Sequence, residues 1–167
     1  MNVSRMRRLD RWLGVPLCWL AGLFFGRKKP PQSPIIGRSV LVIKFFGMGS
    51  VLLTAPFLER LRRAFPAARI HFLTFSSNKD ILERLAAGVQ CQYIRTTSMV
   101  SFVRDTIMAL FLFRREGVDV VFDLEFFSKY STLFSTLTRA TVRVGYALPT
   151  FWRRANVTHP TPLDRST

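Results

Sequence analysis

The run Ser39-Val40-Leu41-Val42-Ile43-Lys44-Phe45-Phe46-Gly47-Met48-Gly49-Ser50 decides how the rest of the chain is read. Its first seven residues are almost wholly apolar and of strand length, as expected of a strand covered on both faces. Two glycines then turn the chain, and Ser50 is a fair N-cap for a helix running to about residue 65 and ended by Pro66. A buried strand, a glycine turn and a helix make the opening unit of a parallel sheet.

The same alternation continues outward from that unit. Residues 69–75 form a second strand pattern, 78–87 a short helix stopped by Gly88, and 92–95 a weak third strand. A long helix is expected over 98–115 before Gly117, a fourth strand over 119–124, a helix over 126–139 and a fifth strand over 142–146. Strands separated by helices of this length pair in parallel through crossovers, so the fold class is α/β with a doubly wound, Rossmann-like sheet. Ligands of such sheets meet the carboxyl ends of strands where strand order reverses. That rule selects two loops, 46–50 and 125–129. After Tyr146 the periodicity fades, and 147–167 reads as a tail or the start of a linker.

The chain of 167 residues has room for one domain of this kind plus an appendage. Residues 1–29 carry seven basic groups against Asp10, and enclose an uncharged stretch from Trp12 to Gly26. At 15 residues that stretch falls short of the ~20 that span a bilayer. With tryptophan and phenylalanine near its ends, it reads as an amphipathic or apolar helix serving as a membrane-surface anchor, the alternative being a helix packed on protein. Pro30, Pro31 and Pro34 make 30–37 a stiff linker to a domain over 38–146.

Net charge is +15, which attracts polyanions. Beyond residue 29 no basic run exceeds two residues, and no basic stripe interleaves with exposed aromatics, so nucleic acid is not the expected partner. An anionic membrane surface suits the distribution better. Cys18 and Cys91 have no metal-site or disulfide spacing, and no metal is expected.

Within the first loop, Gly47 and Gly49 let backbone approach a ligand, and a helix start offers N–H groups to an anion or polar acceptor. The third glycine of a dinucleotide fingerprint is missing, and so is the Gly-Lys-Ser/Thr of a P-loop. In the second loop, Asp123 at the end of a buried strand must find partners. Glu125 and Lys129 are four apart, which an ordinary ion pair explains. Their sharper reading is Glu125 as acid/base and Lys129 as a contact to an acceptor phosphate or carboxylate. His71 and His159 read as structural.

Residues 40–56, from Val40 through Lys44, Gly47-Met48-Gly49-Ser50 and Thr54-Ala55-Pro56, resemble the opening of glycosyltransferase family 9, the lipopolysaccharide heptosyltransferase group. Residues 58–74, 119–129 and Val142-Arg143-Val144-Gly145-Tyr146 resemble its later segments in order and spacing. The resemblance implies the amino-terminal, acceptor-side half of a GT-B enzyme. Its activity would be metal-free, inverting transfer of a heptose-like sugar from a nucleotide donor to a lipid-linked saccharide acceptor. The implied location is the cytoplasmic face of a bacterial inner membrane, peripheral or monotopic, in lipopolysaccharide synthesis. No cofactor is implied, since the nucleotide sugar is a substrate. Its binding domain is expected outside this chain, so that the chain reads as a fragment or as one member of a pair with a separate donor chain. Catalysis falls to Glu125 and Ser50, because Ser50 occupies the place of the family's aspartate. Acceptor contacts fall to Lys44, Gly47, Met48, Gly49, Thr54, Ser128 and Lys129. The reading from a different class is a non-catalytic saccharide- or partner-binding domain at the membrane. A third is a nucleotide- or nucleic-acid-binding Rossmann-like domain.

Overall fold

The computed structural model describes residues 37–85, 88–126, 128–147 and 156–162, so the anchor and most of the linker lie outside the described residues. The strands are β1 (Ser39–Ile43), β2 (Arg69–Phe75), β3 (Gln90–Ile94), β4 (Val120–Asp123), β5 (Val142–Ala147) and β6 (His159–Pro162). The helices are α1 (Met48–Leu52), α2 (Ala55–Ala64), α3 (Lys79–Leu85), α4 (Met99–Arg115) and α5 (Lys129–Leu137).

All six strands form one sheet in the order β3-β2-β1-β4-β5-β6, and each neighbouring pair is parallel. Chain order runs outward one way from β1 to β3 and then restarts on its other side at β4. The topological switch point therefore lies between β1 and β4. The two loops chosen from the sequence follow those two strands.

Every residue of β1 is buried, because each face of the sheet carries its own core. On one face Leu41, Ile43, Leu73 and Val121 pack with Ala109 and Phe113 of α4 and Phe134 of α5. On the other, Val40, Val42, Phe72 and Val120 pack with Val51 of α1, Leu58 and Leu61 of α2 and Leu82 of α3. Burying a large aliphatic or aromatic side chain contributes ~1.5–3 kcal/mol, so the two cores dominate stability and hold β1 at the centre.

Three expectations are corrected. The helix expected from Ser50 to about residue 65 is two helices, with the break at Leu53 and Thr54. Pro56 has no N–H to offer the carbonyl of Leu52, so the ladder cannot run through it, and Pro56 instead sits in the first turn of α2. Ser50 is accordingly inside α1, and Gly47 with φ of 84° takes the N-cap place. Finally, the stretch 147–167 expected as a tail contributes β6, whose Pro160 and Pro162 suit a strand at the sheet's edge.

Candidate functional site

The site grows from a carboxylate. Oε1 of Glu125, on the loop after β4, accepts from the backbone N–H of Phe45 at 2.7 Å and of Phe46 at 2.9 Å. Nζ of Lys44 lies 3.4 Å from the same oxygen and donates to the carbonyl of Leu124 at 3.3 Å. Lys44 and Glu125 are both buried, so the ion pair works in a region of weak solvent screening. Together they tie the loop after β1 to the loop after β4 across the switch point.

Asp123 supplies the next layer. Its Oδ1 accepts from the N–H of Glu125 at 3.1 Å, and its Oδ2 from the hydroxyls of Ser131 at 3.1 Å and Thr132 at 3.3 Å. The partners required of a carboxylate at the end of a buried strand are thus the first turn of α5. Ser128 caps that helix, its hydroxyl oxygen accepting from Ser131 N–H at 3.1 Å. Asn78 braces the first loop from below, donating to the carbonyl of Phe45 at 3.0 Å and to Thr74 at 2.8 Å.

Above this framework the glycine loop is open. Gly47, Met48 and Gly49 are exposed, and Ser50 and Lys129 are half-buried. A side chain on Gly47 would be strained by its positive φ and would meet Oγ of Ser50 at 2.6 Å, whereas one on Gly49 would meet nothing within 4 Å. Ser50 donates to the carbonyls of Phe46 and Gly47, both at 2.8 Å, so its hydroxyl closes the turn. Thr54 is buried and donates to the carbonyl of Val51 at 2.6 Å. With α1 only five residues long, its dipole is slight, and the oriented N–H groups of the longer α5 stand on the β4 side of the site.

The candidate residues therefore fall into two sets. Gly47, Met48, Gly49, Ser50 and Lys129 reach the surface, while Lys44, Thr54, Glu125 and Ser128 are buried supports. The oxygen of Glu125 that faces Lys44 already accepts two N–H bonds, an arrangement suited to positioning the loop. Sequence reasoning missed Asn78 and the stacked pair Phe126–Tyr146, whose ring centroids are 4.0 Å apart at the carboxyl ends of β4 and β5. An aromatic residue just past β4 and another near the end of β5 are the signal that could have found the pair. Arg143, from the stretch resembling the family's Arg-x-Gly strand, is buried: Nε donates to the carbonyl of Asn156 at 2.7 Å and an end nitrogen to that of Ala140 at 2.8 Å. Burial lowers its pKa from the ordinary arginine range.

Fold and loops define a Rossmann-like domain with two linked polar loops at its switch point. No family model matches the chain, and no curated protein matches it. Among solved structures, it is similar to a glycosyl transferase family 9 protein from Veillonella parvula, with a TM-score of 0.61 and 24% identity over 78% of this chain. The chain spans 37% of that protein's length. A hypothetical protein from Streptococcus mutans aligns at 11% identity over 76% of this chain and 44% of its own, with a TM-score of 0.43. The resemblance to family 9 read from the sequence is thus borne out in the fold. Among the described residues no helix is long and apolar enough to cross a membrane, and no cluster of His, Cys, Asp or Glu is arranged to hold a metal ion.

Proposed function

We propose that this domain is the acceptor-binding half of an inverting glycosyltransferase that moves a heptose-like sugar onto a lipid-linked saccharide in envelope synthesis. The observation that carries the reading is the pair of loops after β1 and β4, locked by Glu125 and Lys44 at the switch point. The fold shared with the Veillonella parvula protein supports it.

In this reading the open backbone at Gly47-Met48-Gly49 and the ammonium of Lys129 receive the acceptor's hydroxyl and anionic groups. A base must take the proton of the attacking hydroxyl as the donor diphosphate leaves. The donor nucleotide is held by a further domain or a second chain, and the work takes place at the cytoplasmic face of the membrane. No cofactor or metal enters the scheme.

One observation favours a second reading, a non-catalytic saccharide-binding domain at the membrane. Ser50 donates to backbone carbonyls, and Glu125 accepts from backbone amides. Both residues thus serve the backbone of the loop, a supporting role that a binding domain needs as much as an enzyme does.

Titrating the isotope-labelled chain with lipid-linked core saccharide in detergent, and following amide shifts, tests the shared core of both readings. Saturable shifts centred on Gly47, Gly49 and Lys129 are expected. Silence at those amides, with single-stranded nucleic acid binding that collapses as salt is raised, would sink both. Sugar transfer by a complete enzyme carrying this domain then separates them: turnover supports the transferase, binding without turnover the second.

A further inference from the structure

The long helix α4 has a face that the other described residues leave exposed. Ala109 and Phe113 point into the core, as does Asp105, which is buried against Arg95. On the opposite side Val100, Val103, Ile107, Met108 and Phe111 stand out, with Val100 at 78% and Phe111 at 73% exposed. Val100, Val103, Ile107 and Phe111 are spaced by three and four along one stripe, and Met108 widens it. Exposed apolar stripes of this length on a soluble fold mark a contact.

The charges on that stripe select the occupant. Arg104 sits among the apolar residues and Arg115 lies at its end, both exposed, while the neighbouring Arg114 donates from Nε to the carbonyl of Leu137 at 2.9 Å. The only acid of the helix, Asp105, faces inward. A second copy laid on this face would bring arginine to arginine with no carboxylate between. The segment 1–29 has an uncharged run able to cover apolar surface, but its flanks add cations. Anionic lipid headgroups with acyl chains beneath satisfy both parts of the pattern, and a helix with such a face lies in the plane of the interface.

We propose that the outward face of α4 is a membrane-contact surface for anionic lipid, additional to any contact made by residues 1–29. The helix follows β3, so it starts at the carboxyl end of the sheet, where the two loops meet. A membrane on α4 would lie beside the candidate site and present a lipid-borne ligand to it. The inference does not need the transferase reading, since a domain with no sugar chemistry would still dock by this face.

The test uses the full chain with Cys18→Ser and Cys91→Ser, and a nitroxide placed either at Ile107→Cys or, as control, at Arg60→Cys on the exposed side of α2. Vesicles are phosphatidylglycerol and phosphatidylethanolamine in equal parts, against phosphatidylcholine alone. Oxygen accessibility at 107 should rise and that of a water-soluble nickel complex fall on the anionic vesicles, with position 60 unchanged. Val103→Asp with Phe111→Asp should weaken vesicle partitioning by at least about ten-fold, with circular dichroism unaltered. Binding that leaves position 107 in water assigns the membrane contact to another part of the chain and overturns the proposal. So does a label already shielded without lipid: concentration dependence would mean a second copy, and concentration independence a covering segment of this chain.

Discussion

The two ends of the β1–β4 pair are held by the same device in different surroundings. At the amino end Asp119, just before β4, accepts from the N–H of Arg38 at 3.0 Å and of Ser39 at 3.1 Å. At the carboxyl end Glu125, just after β4, accepts from Phe45 and Phe46. Each carboxylate reaches some eighty residues back along the chain to fix where β1 begins or stops. Asp119 does so half-exposed, where water can replace a lost bond. Glu125 does so buried, with a buried ammonium beside it. The amino end is a register pin. The carboxyl end is a framework under electrostatic load, placed under the loop expected to bind a ligand.

Breaking the carboxyl clamp should have the largest effect. Glu125→Ala strands the Lys44 ammonium and two backbone donors, and should cost roughly 3–5 kcal/mol in urea unfolding. Replacing both partners, as Lys44→Met with Glu125→Leu, should recover a good part of that loss, because the desolvation of two charges disappears with them. Amide shifts of residues 45–50 should still change in the double variant, since two N–H groups remain without their acceptor. A double variant no more stable than Glu125→Ala would show that Lys44 contributes little and that the backbone bonds alone matter. Asp119→Ala comes next, at about 1–3 kcal/mol, and should leave the shifts of the glycine loop unaltered. If it disturbs that loop as strongly as Glu125→Ala does, the two ends are not independent.

How much of this could be read beforehand follows from the range of each interaction. The strand over Val40–Ile43, the long helix before Gly117 and the parallel order depend on local pattern and on the crossover rule, and they were legible. The break at Thr54 was legible from Pro56, which lacks the N–H that a continuous helix would need there. β6 was not, since His159-Pro160-Thr161-Pro162 has neither alternation nor β-branched density and is a strand only because β5 offers it an edge. For Glu125 the sequence offers Lys129 as a neighbour at helical spacing. The partners that decide its geometry are Lys44, Phe45 and Phe46, which only folding brings near. The loops of the site were legible from topology, whereas the division into surface contacts and buried supports needed side-chain positions.

A third carboxylate sharpens the comparison, being buried like Glu125 but paired with a guanidinium that is half exposed. Asp105 on α4 accepts from the backbone N–H of Arg95 at 3.0 Å and from two nitrogens of its guanidinium, each at 2.8 Å. Hydrogen bonding from that guanidinium holds the Asp105 pKa down at about 2 against the opposing effect of burial. Because the folded value lies below the unfolded one, near ~4, the contribution is present above ~4 and is lost as pH falls through about 2. Asp105→Asn should therefore lose a small amount of stability at neutral pH, and the gap from the parent should close on acidification. Arg95 is about half exposed, and solvent screening makes this the smallest of the effects. Parallel urea titrations of the two proteins across that range isolate it, since every other carboxylate titrates alike in both. A gap that stays constant to the acid end would mean that Asp105 acts through its shape and its bond to the Arg95 amide. It would then resemble the amino-end pin at Asp119 and not the charged clamp at Glu125.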